Sequence, residues 1–195
     1  DPELVNKAAA GAPETINTCI ACNQACLDHT FQRKVASCLV NPRAAHETQL
    51  VLSPTTRRKR VAVVGGGPAG LAAAVSAAER GHAVELFEAG DDIGGQFALA
   101  MRIPGKEEFA ETIRYYRGEL ERRQVALHLG RRVGVDDLTG FDEVVLATGI
   151  VPRRVAFPGS DDARVIGYLD VLAHAEVTRH PAVRIVGAQS TPRLF

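Results

Sequence analysis

The pattern of apolar and polar positions changes character near residue 60. Downstream, short β-branched runs alternate with stretches of helical spacing. RVAVV at 60–64 is bounded by glycines and predicts a buried parallel strand. LAAAVSAAER at 71–80 predicts a helix, closed by Gly81 at the position just past the C-cap. AVELFE at 83–88 is a second strand. KEEFAETIRYYRGELERR at 106–123 sets Phe109, Ile113, Tyr116 and Leu120 on one helical face. VALHL at 125–129 and EVVLAT at 143–148 are two more strands. Pro152 and Pro158 mark a connector, followed by a short helix at 168–176 and a strand, VRIVG, at 183–187. This alternation predicts an α/β fold, a partial doubly wound, Rossmann-like sheet. Upstream the pattern is irregular. A short helix over 2–10 ends near Gly11, turns alternate with a helix around 23–34, Asn41-Pro42 opens a turn, and residues 47–58 read as a linker.

Composition narrows the function classes. The 195 residues are 46% apolar and 24% charged, with 23 basic and 23 acidic side chains. A net charge of zero supplies no global field to recruit nucleic acid or an anionic membrane. The one basic run, RRKR at 57–60, precedes a strand and reads as solvated linker. No run approaches the roughly 18 apolar residues that a bilayer span needs, and no basic stretch followed by an apolar core opens the chain as a secretory signal would. Four clustered cysteines without such a signal point to a metal or redox site in a reducing, cytoplasmic compartment. The chain opens at Asp1, its single methionine is Met101, and it ends at Phe195 shortly after a new strand begins; we read it as a fragment.

The densest chemistry lies between the first predicted strand and helix. Gly65-x-Gly67-x-x-Gly70 has the spacing of a dinucleotide loop. The first glycine permits the turn, the second lets a pyrophosphate approach the backbone, and the third lets helix pack on strand. The helix N-terminus offers unpaired N–H groups to phosphate, and Pro68 suits its first turn. Ala69 completes the loop. Glu88 ends the next strand, 18 residues beyond Gly70, where a carboxylate can accept ribose hydroxyls and repel a 2′-phosphate. That favours FAD or NAD over NADP at this loop. Gly94-Gly95-Gln96 is a second place for backbone to approach a ligand, or a simple turn after Asp91-Asp92. Lys106 opens the long helix and could reach a phosphate, or be solvated charge. Ala147-Thr148-Gly149 ends a strand at the carboxyl edge of the sheet, where open α/β folds bind ligands.

Cys19, Cys22, Cys26 and Cys38 follow C-x2-C-x3-C-x11-C. Thiolates hold zinc or iron–sulfur clusters. Zinc sites usually come as paired C-x2-C knuckles, whereas three cysteines within eight residues and a distant fourth are more like cluster ligation. Spacing leaves iron–sulfur, zinc and free thiols all open. His29 and His46 lie nearby, but four sulfurs suffice, so both read as surface or hydrogen-bonding residues.

INTCIACNQACLDHTF, CLVNPRAAHE, VAVVGGGPAGLAAA, IGGQF, IPGKEEF and LATGIVP, in this order, closely resemble the NADPH-dependent 2,4-dienoyl-CoA reductase and trimethylamine dehydrogenase-like NADH:flavin oxidoreductase family over residues 1–187. The resemblance implies a 4Fe–4S cluster on Cys19, Cys22, Cys26 and Cys38. It implies FAD contacts at the Gly65–Gly70 loop, Glu88, Gln96, Lys106 and Val133, the last through its backbone. It also implies the organisation: residues 1–18 as the remnant of the last helix of an FMN-bearing barrel, 19–58 as the iron–sulfur segment and linker, 59–150 as the ADP-binding half of an FAD domain, and 151–195 as a connector and truncated start of an NADPH domain. Electrons in that family run from NADPH to FAD, cluster and FMN. Here the barrel, with its FMN and its proton-donating residues, is missing. The expected second glycine loop reads Gly187-Ala188-Gln189-Ser190-Thr191-Pro192, without its later glycines. The expectation is an electron-transfer segment, inactive alone and with no catalytic residue of its own. A fragment of an amine dehydrogenase or demethylase of the same family, or a non-enzymatic zinc-stapled nucleotide-binding module, are the competing readings.

Overall fold

The structure, a computed structural model, describes residues 1–153 and 156–173. The predicted strand at 183–187 and the second glycine loop lie outside these residues. The chain divides into two compact units, one of residues 1–149 and one beginning at Ile150. In the first, β1 (Arg60–Val64), β2 (Ala83–Phe87), β3 (Ala126–His128) and β4 (Glu143–Leu146) form one parallel sheet in the order β3-β2-β1-β4. β1 therefore leads to β2 on one side and pairs with β4 on the other. The order reverses at β1/β4, so their carboxyl ends diverge into the crevice where open α/β sheets bind ligands.

Register and burial explain the packing. Val61 pairs with Val84 and Val63 with Leu86, so these four side chains share a face. Onto it pack Leu71, Ala74 and Val75 of α3 (Pro68–Glu79), and Ile113 and Leu120 of α5 (Phe109–Arg122). The four apolar residues aligned on the predicted long helix take up this role in part: Ile113 and Leu120 are core, and Tyr116 packs against it. Phe109 instead meets the ring of Phe97, edge to face at 4.7 Å. The opposite face of the sheet is held by aromatics. Phe87 stacks on His128 at 4.7 Å and meets Phe141 edge-on, and the Arg60 guanidinium lies over Phe141. α3 and α5 thus share one face.

Two boundaries differ from the sequence reading. α5 starts at Phe109, so Lys106 sits in the preceding turn, where Phe109 N–H donates to its carbonyl at 3.1 Å. The stretch after Gly94-Gly95 is a five-residue helix, α4 (Gln96–Ala100), packed on α5. Its single turn is too short to carry a periodic signal. The basic run is also less idle than a linker: Lys59 pairs with Glu143 at 2.5 Å and Arg60 with Glu85 at 3.2 Å, joining neighbouring strands.

The N-terminal segment folds without a sheet. α1 (Leu4–Ala9), a 3₁₀ turn (Pro13–Thr15) and α2 (Leu27–Phe31) fall within the regions expected to be helical or turning. Residues 47–58 contain no helix or strand, as expected of a linker. In the second unit, α6 (Tyr168–Ala173) forms within the predicted 168–176 helix, and Arg164 forks onto the Asp162 carboxylate, which holds that carboxyl down at about 2. No helix among the described residues is long and apolar enough to cross a membrane.

Candidate functional site

Two glycine loops meet at the carboxyl edge of the sheet. A Cβ on Gly65, whose φ is +111°, would lie 2.2 Å from the Ala147 carbonyl oxygen, so only glycine lets the end of β4 approach the end of β1. A Cβ on Gly70 would lie 1.8 Å from the Gly65 carbonyl, which is why the third glycine is needed for α3 to close on the loop. Gly67 differs from both. It is the N-cap of α3, its φ of −76° is ordinary, and a Cβ there meets nothing within 4 Å. Space therefore remains open at the one glycine where a pyrophosphate should approach, in front of the free N–H groups that open α3. Pro68 occupies the first helical position, as expected, with Ala69 exposed beside it.

The second glycine pair turns towards the first. Gly94 N–H donates to the Gly66 carbonyl at 2.8 Å, and a Cβ on Gly95 would lie 3.0 Å from the Gly67 Cα. Gln96, exposed, then starts α4 beside this junction. Ile113 of α5 supports it from behind, 2.6 Å from where a Gly94 Cβ would be. The pair thus packs against the dinucleotide loop.

Glu88 lies between these loops. Its carboxylate accepts Gly66 N–H at 2.5 Å and Gly90 N–H at 2.7 Å. A Cβ on Gly66 would come within 2.9 Å of Glu88 Oε2 and 3.1 Å of the Glu88 Cβ, so a fourth glycine, outside the G-x-G-x-x-G pattern, lets the carboxylate sit this close. The GGG run was its only trace in the sequence. Two backbone donors orient the carboxylate and leave further lone pairs for hydroxyls. Arg131 N–H donates to the Glu88 carbonyl at 2.8 Å, which brings the segment carrying half-buried Val133 alongside. Ala147 N–H donates to Val64 O at 2.8 Å, holding Ala147, Thr148 and Gly149 at the mouth of the loop. Lys106 is exposed, with its ammonium 5.7 Å from the Phe109 ring.

The four cysteines converge although Cys19 and Cys38 lie 19 positions apart in the chain. Asn17 Nδ2 donates to Val40 O at 2.7 Å, and Ser37 N–H to Ala25 O at 2.7 Å, so both flanks of the loop are stapled. Buried Ile20 and Ala25 anchor it from within. Cys19, Cys22, Cys26 and Cys38 line one solvent-open recess with Leu39 and Val40. All four are free thiols. Ala21 and Asn23 take left-handed backbone conformations, φ +51° and +59°, on either side of Cys22. For alanine this costs roughly 1–2 kcal/mol. The curl it produces is of the kind that gathers backbone N–H groups into anion-binding concavities, and Ala21 N–H donates to Cys19 Sγ at 3.4 Å. His29 hydrogen-bonds the Val35 carbonyl through Nδ1 at 3.0 Å. Among the described residues no group of three or more His, Cys, Asp or Glu side chains is arranged to hold a metal ion.

A profile of the pyridine nucleotide-disulphide oxidoreductase family matches residues 59–190. The chain belongs to this family. It is 40% identical over 179 residues to a metal reductase of Desulforamulus reducens, covering 89% of this chain and 27% of that protein. It is 38% identical over 188 residues to an N,N-dimethylglycine/sarcosine dehydrogenase of Chromohalobacter salexigens, with 90% and 27% covered. The solved structure of 2-naphthoyl-CoA reductase in complex with 2-naphthoyl-CoA superimposes with a TM-score of 0.86 at 38% identity, over 89% of this chain and 27% of that one. The chain thus spans about a quarter of the length of these relatives. The family resemblance drawn from the motifs holds: this is an oxidoreductase-family chain whose relatives include both reductases and amine dehydrogenases.

Proposed function

We propose that the chain is the electron-transfer segment of a longer NADPH-dependent flavin oxidoreductase of the 2,4-dienoyl-CoA reductase type, holding the ADP end of FAD and a 4Fe–4S cluster. The observation that carries the flavin assignment is the open space at Gly67, framed by glycines that admit no side chain and by an oriented Glu88. In this reading the N–H groups at the start of α3 take the pyrophosphate and Glu88 takes the ribose hydroxyls. Gly95, Gln96 and Lys106 approach the phosphate side, Val133 approaches the adenine through its backbone, and Ala147, Thr148 and Gly149 close the mouth of the site. For the cluster, the support is four thiols around one recess together with the left-handed curl at Ala21 and Asn23. A tetrahedral zinc would draw its sulfurs to about 2.3 Å from one ion, whereas a cluster spreads its thiolates over several irons. When bound, the flavin supplies two-electron chemistry and the cluster passes electrons singly; the protein binds, orients and spaces them.

The corresponding organisation is residues 1–18 from the last helix of a barrel, 19–58 for the cluster, 59–150 for FAD and 151–195 opening an NADPH domain. FMN, the substrate site and the proton donors then belong to the rest of the enzyme, and a reducing cytoplasm is the setting that suits the free thiols. The amine dehydrogenase reading keeps its own support in the sarcosine dehydrogenase relative. Anaerobic purification tests the proposal: a brown protein absorbing near ~400 nm, with iron and labile sulfide, is expected. A colourless protein with stoichiometric zinc would establish the zinc-stapled module instead. The segment alone is expected not to oxidise NADPH in the presence of a dienoyl-CoA; turnover by it would refute the segment reading.

A further inference from the structure

The stretch leading into Cys19 has no regular structure of its own beyond a three-residue turn, and its carbonyls need partners. Lys7 Nζ donates to Thr15 O at 2.9 Å, and Arg114 serves the carbonyls on either side of it. Arg114 of α5 donates through Nη1 to Glu14 O at 2.5 Å, and through Nη2 to Ile16 O at 2.9 Å and Thr18 Oγ1 at 3.4 Å. Its Nε is held by Glu111 Oε2 at 2.8 Å, one helical turn back, and the Thr18 hydroxyl donates to the same oxygen at 3.3 Å. These contacts join positions 93 to 100 residues apart in the chain, and they end on the residue before the first cysteine. A planar guanidinium with five donors can hold several acceptors in a set geometry at once; a lysine cannot.

The neighbouring residue on the same helix faces the other site. Ile113 packs behind Gly94, whose N–H bonds the Gly66 carbonyl inside the dinucleotide loop. Consecutive residues of one rigid 14-residue helix therefore touch the support of the cofactor loop and the lead-in of the cysteine loop. We infer that Arg114, fixed by Glu111, is a positioning residue that sets the separation between the two cofactor sites and so the rate of electron transfer between them. This rests on the function proposed above. With both groups bound, each transfer would oxidise the flavin by one electron and reduce the cluster by one, the flavin's proton passing to water and its second electron following once the cluster is reoxidised; the residue's part would be to fix the spacing. Such transfer falls steeply with distance, so a loosened lead-in slows it even when both cofactors are bound.

The test uses the full-length holoenzyme with Arg114→Met and Arg114→Lys. Iron, labile sulfide and flavin per chain, and the electron paramagnetic resonance signature of the reduced cluster, are expected to match the wild type. Amide deuterium exchange over residues 15–20 should rise. After rapid mixing with the nicotinamide reductant, cluster reduction should slow by at least about tenfold in Arg114→Met, as expected of a displaced reacting group, and by less in Arg114→Lys. If Arg114→Met does not fold, the lysine variant carries the decision through the same rate and exchange measurements. Unchanged rates in iron-replete variants overturn this inference while leaving the proposed function standing. A wild-type holoenzyme without iron and sulfide overturns the proposed function, and this inference with it.

Discussion

Adding the same methyl group to two glycines of the dinucleotide loop should have opposite consequences. At Gly70, an alanine Cβ would lie 1.8 Å from the Gly65 carbonyl oxygen and 3.3 Å from the Ala147 Cβ, with backbone as the obstacle. The oxygen must retreat by more than 1 Å, dragging the end of β1 or tilting α3 off Val61 and Val63. Overpacking of this kind costs about 3 kcal/mol. For a chain this long, that is a fall in melting temperature of roughly 6–12 °C. At Gly67 the new methyl meets nothing, and the backbone needs no change. Replacing an N-cap glycine by alanine costs about 1 kcal/mol or less, so the melting temperature should fall by only a few degrees. Yet the methyl fills the space proposed for the pyrophosphate. Losing two hydrogen bonds to a charged ligand is worth about 3 kcal/mol, or about a hundredfold in FAD affinity. Thermal melts of the apoprotein and FAD titrations of both variants read the two effects separately. If Gly67→Ala melts as low as Gly70→Ala, or binds FAD as the wild type does, the reasoning is wrong.

Cys22→Ser should leave the sheet folded and abolish iron and sulfide incorporation, checked by metal analysis beside circular dichroism. Glu119 is buried, which pushes its carboxyl up, but hydrogen bonds from Arg122 and Arg123 win and hold it below its usual value of 4.5. Its stabilising contribution is therefore present above pH 4.5 and lost as pH falls through the lower folded value. Glu119→Gln should flatten that acid limb in denaturant melts and cost about 1–2 kcal/mol at neutral pH, since both arginines stay partly solvated. Burial, reinforced by Glu119, raises the Tyr115 phenol to about 12. The folded state thus keeps its proton longer than the unfolded chain, and stability should decline between pH 10 and about 12. Tyr115→Phe should remove the matching step from an ultraviolet phenolate titration.

The local elements were legible in the residues because each depends on a short-range rule. β-branched runs made β1 and β2, alanine and a terminal glycine made α3, and the Gly65–Gly70 spacing announced a strand-to-helix turn. Cysteine spacing likewise singled out the loop whose four thiols line one recess. α4 was not legible, because five residues between a glycine pair and a turn show no period. Nor was Arg114, whose pairing with Glu111 at i,i+3 resembles any solvent-facing helix pair until the N-terminal segment is packed against it.

The sequence by itself determined an α/β fold resembling flavin oxidoreductases, and which residues carry its glycine loop and its thiols. Only the tertiary structure decided what those residues face. It brought Gly94 and Gly95 onto the first loop, put Glu88 under Gly66, and left Gly67 open while closing Gly65 and Gly70. It also placed the cysteine lead-in in the grip of Arg114. The reason is physical. Secondary structure follows from interactions a few residues apart, whereas the clearance of Gly65 from Ala147 and the partners of Arg114 depend on segments roughly eighty to a hundred residues away, which meet only after the sheet has ordered them.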